Sequence, residues 1–257
     1  MKKPRSRKEQ IAFSKMVQRH MDGEDKNKMG GMLSNIILGG QDGTVNVLGI
    51  VLGVASATSD KFIVLVAGLV ATFAESISMA AVAYASTRAE QDHYRSELEK
   101  EKWEMEHLPE VEIEEIRLIY MKKGFRGKKL EQMVTNVTSN KELWLSTMMT
   151  EELGLTPAEN QNPINDGIIV GVSALVGSLI PLVPFMFFPI TEAIVLSLII
   201  STLALFAVGA YKAKVTVGNW FKSGMEVAII GMLAAIVGWL AGKLLGDFFG
   251  LKNVPTG

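Results

Sequence analysis

The sequence contains no cysteine, which excludes disulfide bonds, thiolate metal sites and cysteine nucleophiles. Its net charge is only −1 at pH 7, so no excess of positive charge indicates a nucleic-acid partner, and we expect none. The basic N-terminus is not followed by an apolar run with a small-residue cleavage site, so we also expect no signal peptide.

Charged residues are scarce in two long parts of the chain. Hydrophobic residues make up 48% and charged residues 21%, and the two fractions are compatible only if the charges are segregated. Residues 1–33 and 87–164 are polar, whereas residues 34–86 and 165–250 are apolar with scattered polar exceptions. This pattern predicts an all-α polytopic membrane protein that carries one soluble insertion.

The two apolar parts predict five transmembrane helices. Residues 34–86 form helices one and two, joined by a tight turn at Thr58-Ser59-Asp60. Residues 165–250 form the other three, and prolines are expected to bracket the turn between helices three and four. The predicted spans are Asp166–Phe187, Ile190–Tyr211 and Phe221–Phe249, and the prolines are Pro181, Pro184 and Pro189.

Neither glycine nor proline interrupts the stretch between Gly68 and Pro109. Its first part, Phe62–Ser86, is almost wholly apolar, and at 1.5 Å per residue it can cross a bilayer core of ~30 Å. Its second part, Thr87–His107, is highly charged. The stretch therefore predicts one long helix, half in lipid and half in water.

The insertion, residues 87–164, is predicted to contain three further helices. They are Glu110–Lys123, Lys128–Val137 and Lys141–Leu153, and a capping box of Ser139 and Glu142 is expected to open the last one. The tail, residues 1–33, has nine Lys or Arg against four acids, and the loop between helices four and five holds three lysines. This distribution places the N-terminus and the insertion in the cytoplasm and the C-terminus outside.

Carboxylates inside apolar segments are the sharpest functional signal. Asp42 and Glu75 lie where an ionised side chain costs several kcal/mol unless it is paired or hydrated, so we interpret them as part of a cation path. Met79 follows Glu75 by one helical turn and offers a soft sulfur ligand.

The insertion offers a second candidate site. Carboxylates and thioethers recur there at helical spacing on three predicted helices, an arrangement that could surround a divalent cation. The methionine sulfurs favour a transition metal such as Fe(II) over magnesium or calcium. The same spacing is also typical of solvated helix faces, and the spacing leaves both interpretations open. The candidates are Glu101, Glu104, Glu112, Glu115, Met148, Met149 and Glu152.

Two Glu-x-x-His patterns, Glu90–His93 and Glu104–His107, suggest an alternative. Di-iron proteins carry this motif on two facing helices, whereas here both copies fall on one helix. A di-iron oxidase would therefore need a partner chain. The alternative function is a membrane-anchored iron-binding or di-iron oxidase protein that translocates no metal.

Several motifs together resemble the vacuolar iron transporter family. They are GGQDGTVNVLGIVLGV, AESISMAAVAYAS, KEKWEMEHLPEVEIEEI, ELWLSTMMTEELGL and SLIPLVP, and the resemblance covers about Ile36 to Phe249. It implies a homodimer of five-helix protomers that exports Fe(II) from the cytosol in exchange for protons, with no enzymatic activity. By motif, Asp42, Met79 and Glu75 would form the membrane site, and the seven insertion residues would bind metal.

One departure from the family pattern lies just after Met79. Many members have SMAxGEY, and here Ala83 replaces that glutamate, so its role is absent or falls to Glu75. We expect Fe(II) as the main substrate, Mn(II) as a second one, and Mn(II) or Zn(II) as further ions bound by the insertion. The expected membrane is the plasma membrane in a prokaryote or the vacuolar membrane in a eukaryote.

Overall fold

A computed structural model describes residues 26–58, 60–157, 162–216 and 218–250, with side chains from residue 31 onward. Every regular element in these ranges is a helix, as predicted. The chain divides into two compact units, which we call the membrane unit (Met1–Ala83 with Asn165–Gly257) and the insertion unit (Tyr84–Ile164). Most of the predicted tail, residues 1–33, lies outside the described residues.

The helices are, in chain order, α1 Lys26–Thr58, α2 Lys61–His107, α3 Pro109–Lys122, α4 Gly127–Thr138, α5 Lys141–Thr147, α6 Pro163–Phe187, α7 Ile190–Val215 and α8 Trp220–Phe248. A π-helical turn, Met148–Glu152, directly follows α5. Five of the helices (α1, α2, α6, α7 and α8) are long and apolar enough to cross a membrane, which confirms the predicted number of spans. The long uninterrupted α2 is also confirmed, and α1 begins before the predicted start at Ser34.

The turn between α1 and α2 is capped as the sequence predicts. Asp60 Oδ1 accepts hydrogen bonds from the backbone amides of Phe62 at 2.8 Å and Ile63 at 3.2 Å. These amides belong to the first turn of α2 and have no partner within the helix, so the carboxylate stabilises the helix start. The cap supports the hairpin of the first two spans.

Glycines bring α1 close to two other helices of the membrane unit. A methyl group on Gly43 would overlap the carbonyl oxygen of Ala174 on α6, and one on Gly242 of α8 would overlap that of Gly53. Both positions therefore need glycine for backbone contact between membrane helices. Because α1 has close neighbours on both sides, the rotation of α1 about its axis, and with it the direction of Asp42, is constrained.

The expectation that three prolines bracket the turn between spans three and four is wrong for two of them. Pro181 and Pro184 lie inside α6, and only Pro189 lies at the turn, where it precedes α7. Pro181 has no N–H, so the carbonyl of Gly177 lacks its usual helical donor. The hydroxyl of Thr44 on α1 is shared between that carbonyl, at 3.0 Å, and the carbonyl of Gly40, at 2.7 Å.

The predicted capping box that opens α5 is also wrong. The hydroxyl of Ser139 donates to the carbonyl of Asn136 and belongs to the end of α4. Asn140 is the cap instead, because its Oδ1 accepts from the amides of Glu142 at 3.0 Å and Leu143 at 3.2 Å. The predicted helix Lys141–Leu153 is therefore α5 followed by the π-helical turn.

Candidate metal sites

A single amide connects the two carboxylates of the membrane unit. Asn46 Nδ2 on α1 donates to Glu75 Oε1 on α2 at 2.9 Å and lies 3.3 Å from Asp42 Oδ2. Asp42 and Asn46 are one turn apart on α1, so their side chains share one face. The structure thus brings Asp42 and Glu75 together. Asn46 was not among the site residues predicted from the sequence, although its position four residues after Asp42 was an available signal.

This carboxylate pair is not enclosed within the chain. Asp42, Glu75 and Met79 are half-buried, and Asn46 is exposed. Met79 lies one turn beyond Glu75 on α2, as the spacing predicts. Two carboxylates and an amide oxygen lie together on the membrane unit, and the thioether of Met79 lies one turn away, so hard and soft ligands for a divalent transition metal are present. Such a polar group must face water or another protein surface, because lipid would leave its charges unsolvated.

Two carboxylates are buried inside the insertion unit. Glu101 on α2 and Glu112 on α3 are 2% and 3% exposed, and one oxygen of each has no hydrogen-bond partner. Buried carboxylates are ordinarily paired or bound to a cation, because burying an uncompensated charge is costly. These two oxygens are therefore the strongest sign of a cation site in the insertion unit.

The other predicted glutamates surround the buried pair. Burial raises the pKa of Glu101 to about 7, and the neighbouring charges of Glu152 and Glu104 add to the effect. Burial likewise raises the pKa of Glu112 to about 7, with Glu115 as the largest contributing neighbour. All five predicted carboxylates are thus near enough to act on one another electrostatically. The solvated-face interpretation fails for Glu101 and Glu112, which are buried.

The two predicted methionines are buried in the same unit. Met148 is 0% and Met149 1% exposed, and both belong to the π-helical turn. The amide of Leu153 donates to the carbonyl of Met148 at 3.2 Å, a five-residue step that widens the turn. In a regular α-helix neighbouring residues point about 100° apart, so the wider turn alters where Met148, Met149 and Glu152 point.

Lys100 is a further residue that sequence reasoning missed. Its ammonium lies 3.7 Å from Glu104 and 4.0 Å from Glu97, and its charge also acts on Glu101. It therefore places a positive charge beside the carboxylate cluster. A metal ion that binds the cluster must compete with that charge.

The carboxylates of the cluster lie near one another but do not enclose one metal position. Among the described residues, no three carboxylate, imidazole or thiol side chains are close enough together to hold one metal ion. Like charges favour separation, and three carboxylates at coordination distance need a cation or bound protons to compensate them.

The Glu-x-x-His patterns do not form a second site in the described residues. His107 Nδ1 lies 2.8 Å from the carbonyl of Trp103, and its ring stacks on the Trp103 ring at 4.4 Å. His93 is exposed and lies 4.0 Å from Glu97. Glu104 belongs to the carboxylate cluster, so these motifs supply no support for a di-iron centre.

Comparison with known proteins gives consistent matches over most of the chain. A sequence model of the VIT family matches residues 33–243. The Vacuolar iron transporter 1 of Tulipa gesneriana is 30% identical over 213 residues, which cover 82% of this chain and 86% of the relative. The Vacuolar iron transporter of Plasmodium falciparum (isolate 3D7) is 33% identical over 233 residues, covering 87% and 85%. The Vacuolar iron transporter 2 of Oryza sativa subsp. japonica is 32% identical over 207 residues, covering 80% and 84%.

Proposed function

The chain belongs to the VIT family, and from this membership we propose that it is an integral membrane protein that transports iron, as Fe(II). The relatives that match this chain are named as transporters. Their names support the proposal that this protein is a transporter and not an enzyme. Mn(II) is proposed as a second substrate, because the carboxylates that accept Fe(II) also suit this harder ion.

The observation that carries the proposal is the hydrogen-bonded group of Asp42, Asn46 and Glu75. Two carboxylates in membrane-spanning helices would be costly without a cationic or protonated partner. A divalent ion that replaces a proton between Asp42 and Glu75 is stabilised by the negative charges of both carboxylates. Met79 adds a sulfur ligand, which favours Fe(II) over magnesium and calcium.

We propose a homodimer with the transport path between the protomers. In one protomer, Asn46 is exposed and the two carboxylates are half-buried on membrane helices. A second copy that presents the same face would remove these groups from lipid and double the number of ligands. The path would then be lined by α1 and α2 of both copies.

The proposed direction is from the cytoplasm outward, in exchange for protons. The basic tail and the lysines in the last turn of α7 favour a cytoplasmic insertion unit. Its carboxylate cluster would collect metal on that side, with Zn(II) and Mn(II) also accepted. Competition between a metal and a proton for Glu75 would couple the two fluxes. The membrane would be the plasma membrane in a prokaryote and the vacuolar membrane in a eukaryote.

The experiment is a flux assay on the full-length protein in liposomes that contain a metal-sensitive dye. Fe(II), Mn(II) and Zn(II) are added in turn, without oxygen and under an imposed pH gradient. We expect uptake of Fe(II), which a metal-binding protein or an oxidase would not produce. Asp42→Ala should abolish this uptake, since one of the two membrane carboxylates is lost.

A matched control is Asp60→Asn. This substitution removes a carboxylate from the same unit. It keeps the side-chain oxygen that accepts hydrogen bonds from the first backbone amides of α2. We expect uptake at the wild-type rate for this variant. Normal uptake by Asp42→Ala would refute the assignment of Asp42 to the path.

A further inference from the structure

An open cavity of about 840 Å³ lies on the membrane unit between α1, the end of α7 and α8, and lining side chains such as Met32, Leu38 and Val215 are about half exposed. This volume is in the range of small-molecule sites, ~300–1,000 Å³. Most of its wall is aliphatic or methionine side chain. The lining residues of this kind are Met32, Leu33, Ile36, Ile37, Leu38, Val45, Val215 and Ile230.

The polar residues of the cavity lie at its two ends. One end carries Tyr211 and Lys212 from the end of α7, Thr216 directly after that helix, and Ser34 from α1. Asp42 and Gln41 line the opposite end. Ten residues of α1 separate Met32 from Asp42, so the apolar wall is ~15 Å long at 1.5 Å per residue.

The charge of Lys212 determines which ligand suits this cavity. The side chain of Lys212 is exposed, and the hydroxyl of Thr216 donates to the Lys212 backbone carbonyl at 2.8 Å. The positive charge of Lys212 at this end disfavours the entry of a metal ion and favours an anion. Asp42 at the other end repels a second negative group, so the anionic part of a ligand must lie at Lys212.

An anionic head and an apolar tail of ~15 Å are the features of a phospholipid. Basic pockets between membrane helices on the cytoplasmic side bind anionic head groups, and the last turn of α7 also carries Lys214. We propose that this cavity binds one anionic phospholipid per protomer, with its phosphate on Lys212 and an acyl chain along the apolar wall toward Asp42. The proposal does not depend on which ion the protein transports.

Native mass spectrometry of the full-length protein in a neutral detergent tests this site. The protein is titrated with dioleoyl phosphatidylglycerol and, separately, with dioleoyl phosphatidylcholine. We expect one phosphatidylglycerol per protomer to be retained at concentrations where phosphatidylcholine is not. Equal retention of the two lipids would overturn the proposal. Retention of neither lipid by the dimer would also overturn it, because the partner subunit would then cover the cavity.

Substitutions at two neighbouring lysines provide the matched comparison. Lys212→Gln should weaken phosphatidylglycerol binding about tenfold, as expected for the loss of one charge-assisted hydrogen bond. Lys214 is in the same turn but does not line the cavity, so Lys214→Gln should leave binding unchanged. Equal effects of the two variants would indicate unspecific attraction to basic residues and refute the site.

Two further measurements address the apolar wall and the head group. Val215→Trp narrows the cavity without a change in charge, and it should also weaken phosphatidylglycerol binding. This variant tests the site even if Lys212→Gln does not fold, because Val215 is the half-exposed last residue of α7. Inorganic phosphate should not compete at concentrations similar to those of the lipid. If it does, the cavity is a phosphate site and the lipid proposal is wrong.

Discussion

Asn46 on α1 donates its side-chain amide to Glu75 on α2 across 2.9 Å, and the same nitrogen lies 3.3 Å from Asp42. A neutral amide between two carboxylates stabilises negative charge without supplying a competing positive one. It also connects two helices at the level where a cation would be bound. The following predictions concern this group first and the insertion unit afterwards.

Asn46→Leu should reduce metal flux about tenfold or more. A hydrogen bond to a charged group contributes about 1.5–3 kcal/mol, and 1.4 kcal/mol corresponds to a factor of ten. Leucine has a similar size, so the loss should come from the amide and not from packing. Initial rates in the liposome assay measure the effect, and elution on size exclusion checks the assembly. An unchanged rate would mean that the amide has no part in transport.

Glu75→Gln and Met79→Leu should separate proton coupling from metal selection. Glutamine cannot bind the exchanged proton, so Glu75→Gln should give no flux or flux that ignores an imposed pH gradient. Met79 is not titratable, so Met79→Leu should lower Fe(II) uptake relative to Mn(II) and keep the pH response. Uptake is measured for both ions with and without the gradient. If Glu75→Gln shows the wild-type pH response, the proton is carried elsewhere, with Asp42 as the next candidate.

Replacing four glutamates of the insertion cluster should weaken metal binding strongly. Glu101, Glu104, Glu112 and Glu115 are changed to Gln, and Zn(II) is titrated into the full-length protein by calorimetry as a redox-inert probe. Each change removes a charge and keeps the shape of the side chain.

The control for this experiment is a second quadruple variant with the same change in net charge. It replaces four exposed glutamates outside the cluster, namely Glu90, Glu99, Glu106 and Glu110. Its affinity for Zn(II) should stay close to that of the wild type. Equal affinity in both quadruple variants would show that the cluster binds no metal.

Lys100→Gln should strengthen metal binding by the insertion unit severalfold. The ammonium lies 3.7 Å from Glu104, so its removal frees a carboxylate and lowers the repulsion of an incoming cation. Lys102 is exposed on the same helix and forms no ion pair with the described acids, so Lys102→Gln is the control. Calorimetry with Zn(II) at low ionic strength measures both. A larger gain for Lys102→Gln would contradict the role given to Lys100.

The metal-free insertion unit should lose stability as the pH rises. Folding raises the pKa of Glu101 from 4.5 to about 7, so between these values the folded chain holds a proton that the unfolded chain has released. The stabilisation is complete below pH 4.5 and is lost as the pH passes about 7. Glu101→Gln should therefore raise the unfolding temperature at pH 8 and change it little at pH 4.5.

The exposed Glu99→Gln is the control for that measurement. The same protonation makes metal binding dependent on pH, because the metal must displace a proton from Glu101 or Glu112. Zn(II) affinity should fall as the pH drops below about 7, and calorimetry in two buffers should detect released protons. A pH-independent affinity between pH 6 and 8 would contradict the buried positions of these carboxylates.

Local sequence signals were sufficient for the spans and for the candidate residues. Runs of apolar residues predicted five membrane helices, since an apolar segment of this length has few other stable environments. The absence of glycine and proline after Gly68 predicted the whole of α2. The turn at Thr58-Ser59-Asp60 was predictable because capping depends on two or three neighbouring residues, and the structure assigns the cap to Asp60. The glutamates of the insertion were found by helical spacing alone.

The tertiary structure decided which of these residues meet. Asn46 contacts Glu75 because the turn of α1 that carries Asn46 lies opposite the turn of α2 that carries Glu75. The spacing of residues along one helix contains no information about how two helices align. The carbonyl that Pro181 leaves without a donor inside α6 is contacted by Thr44 on another helix. Burial of Glu101 and Glu112, which excludes a solvated face for these two residues, depends on packing between separate helices of the insertion unit.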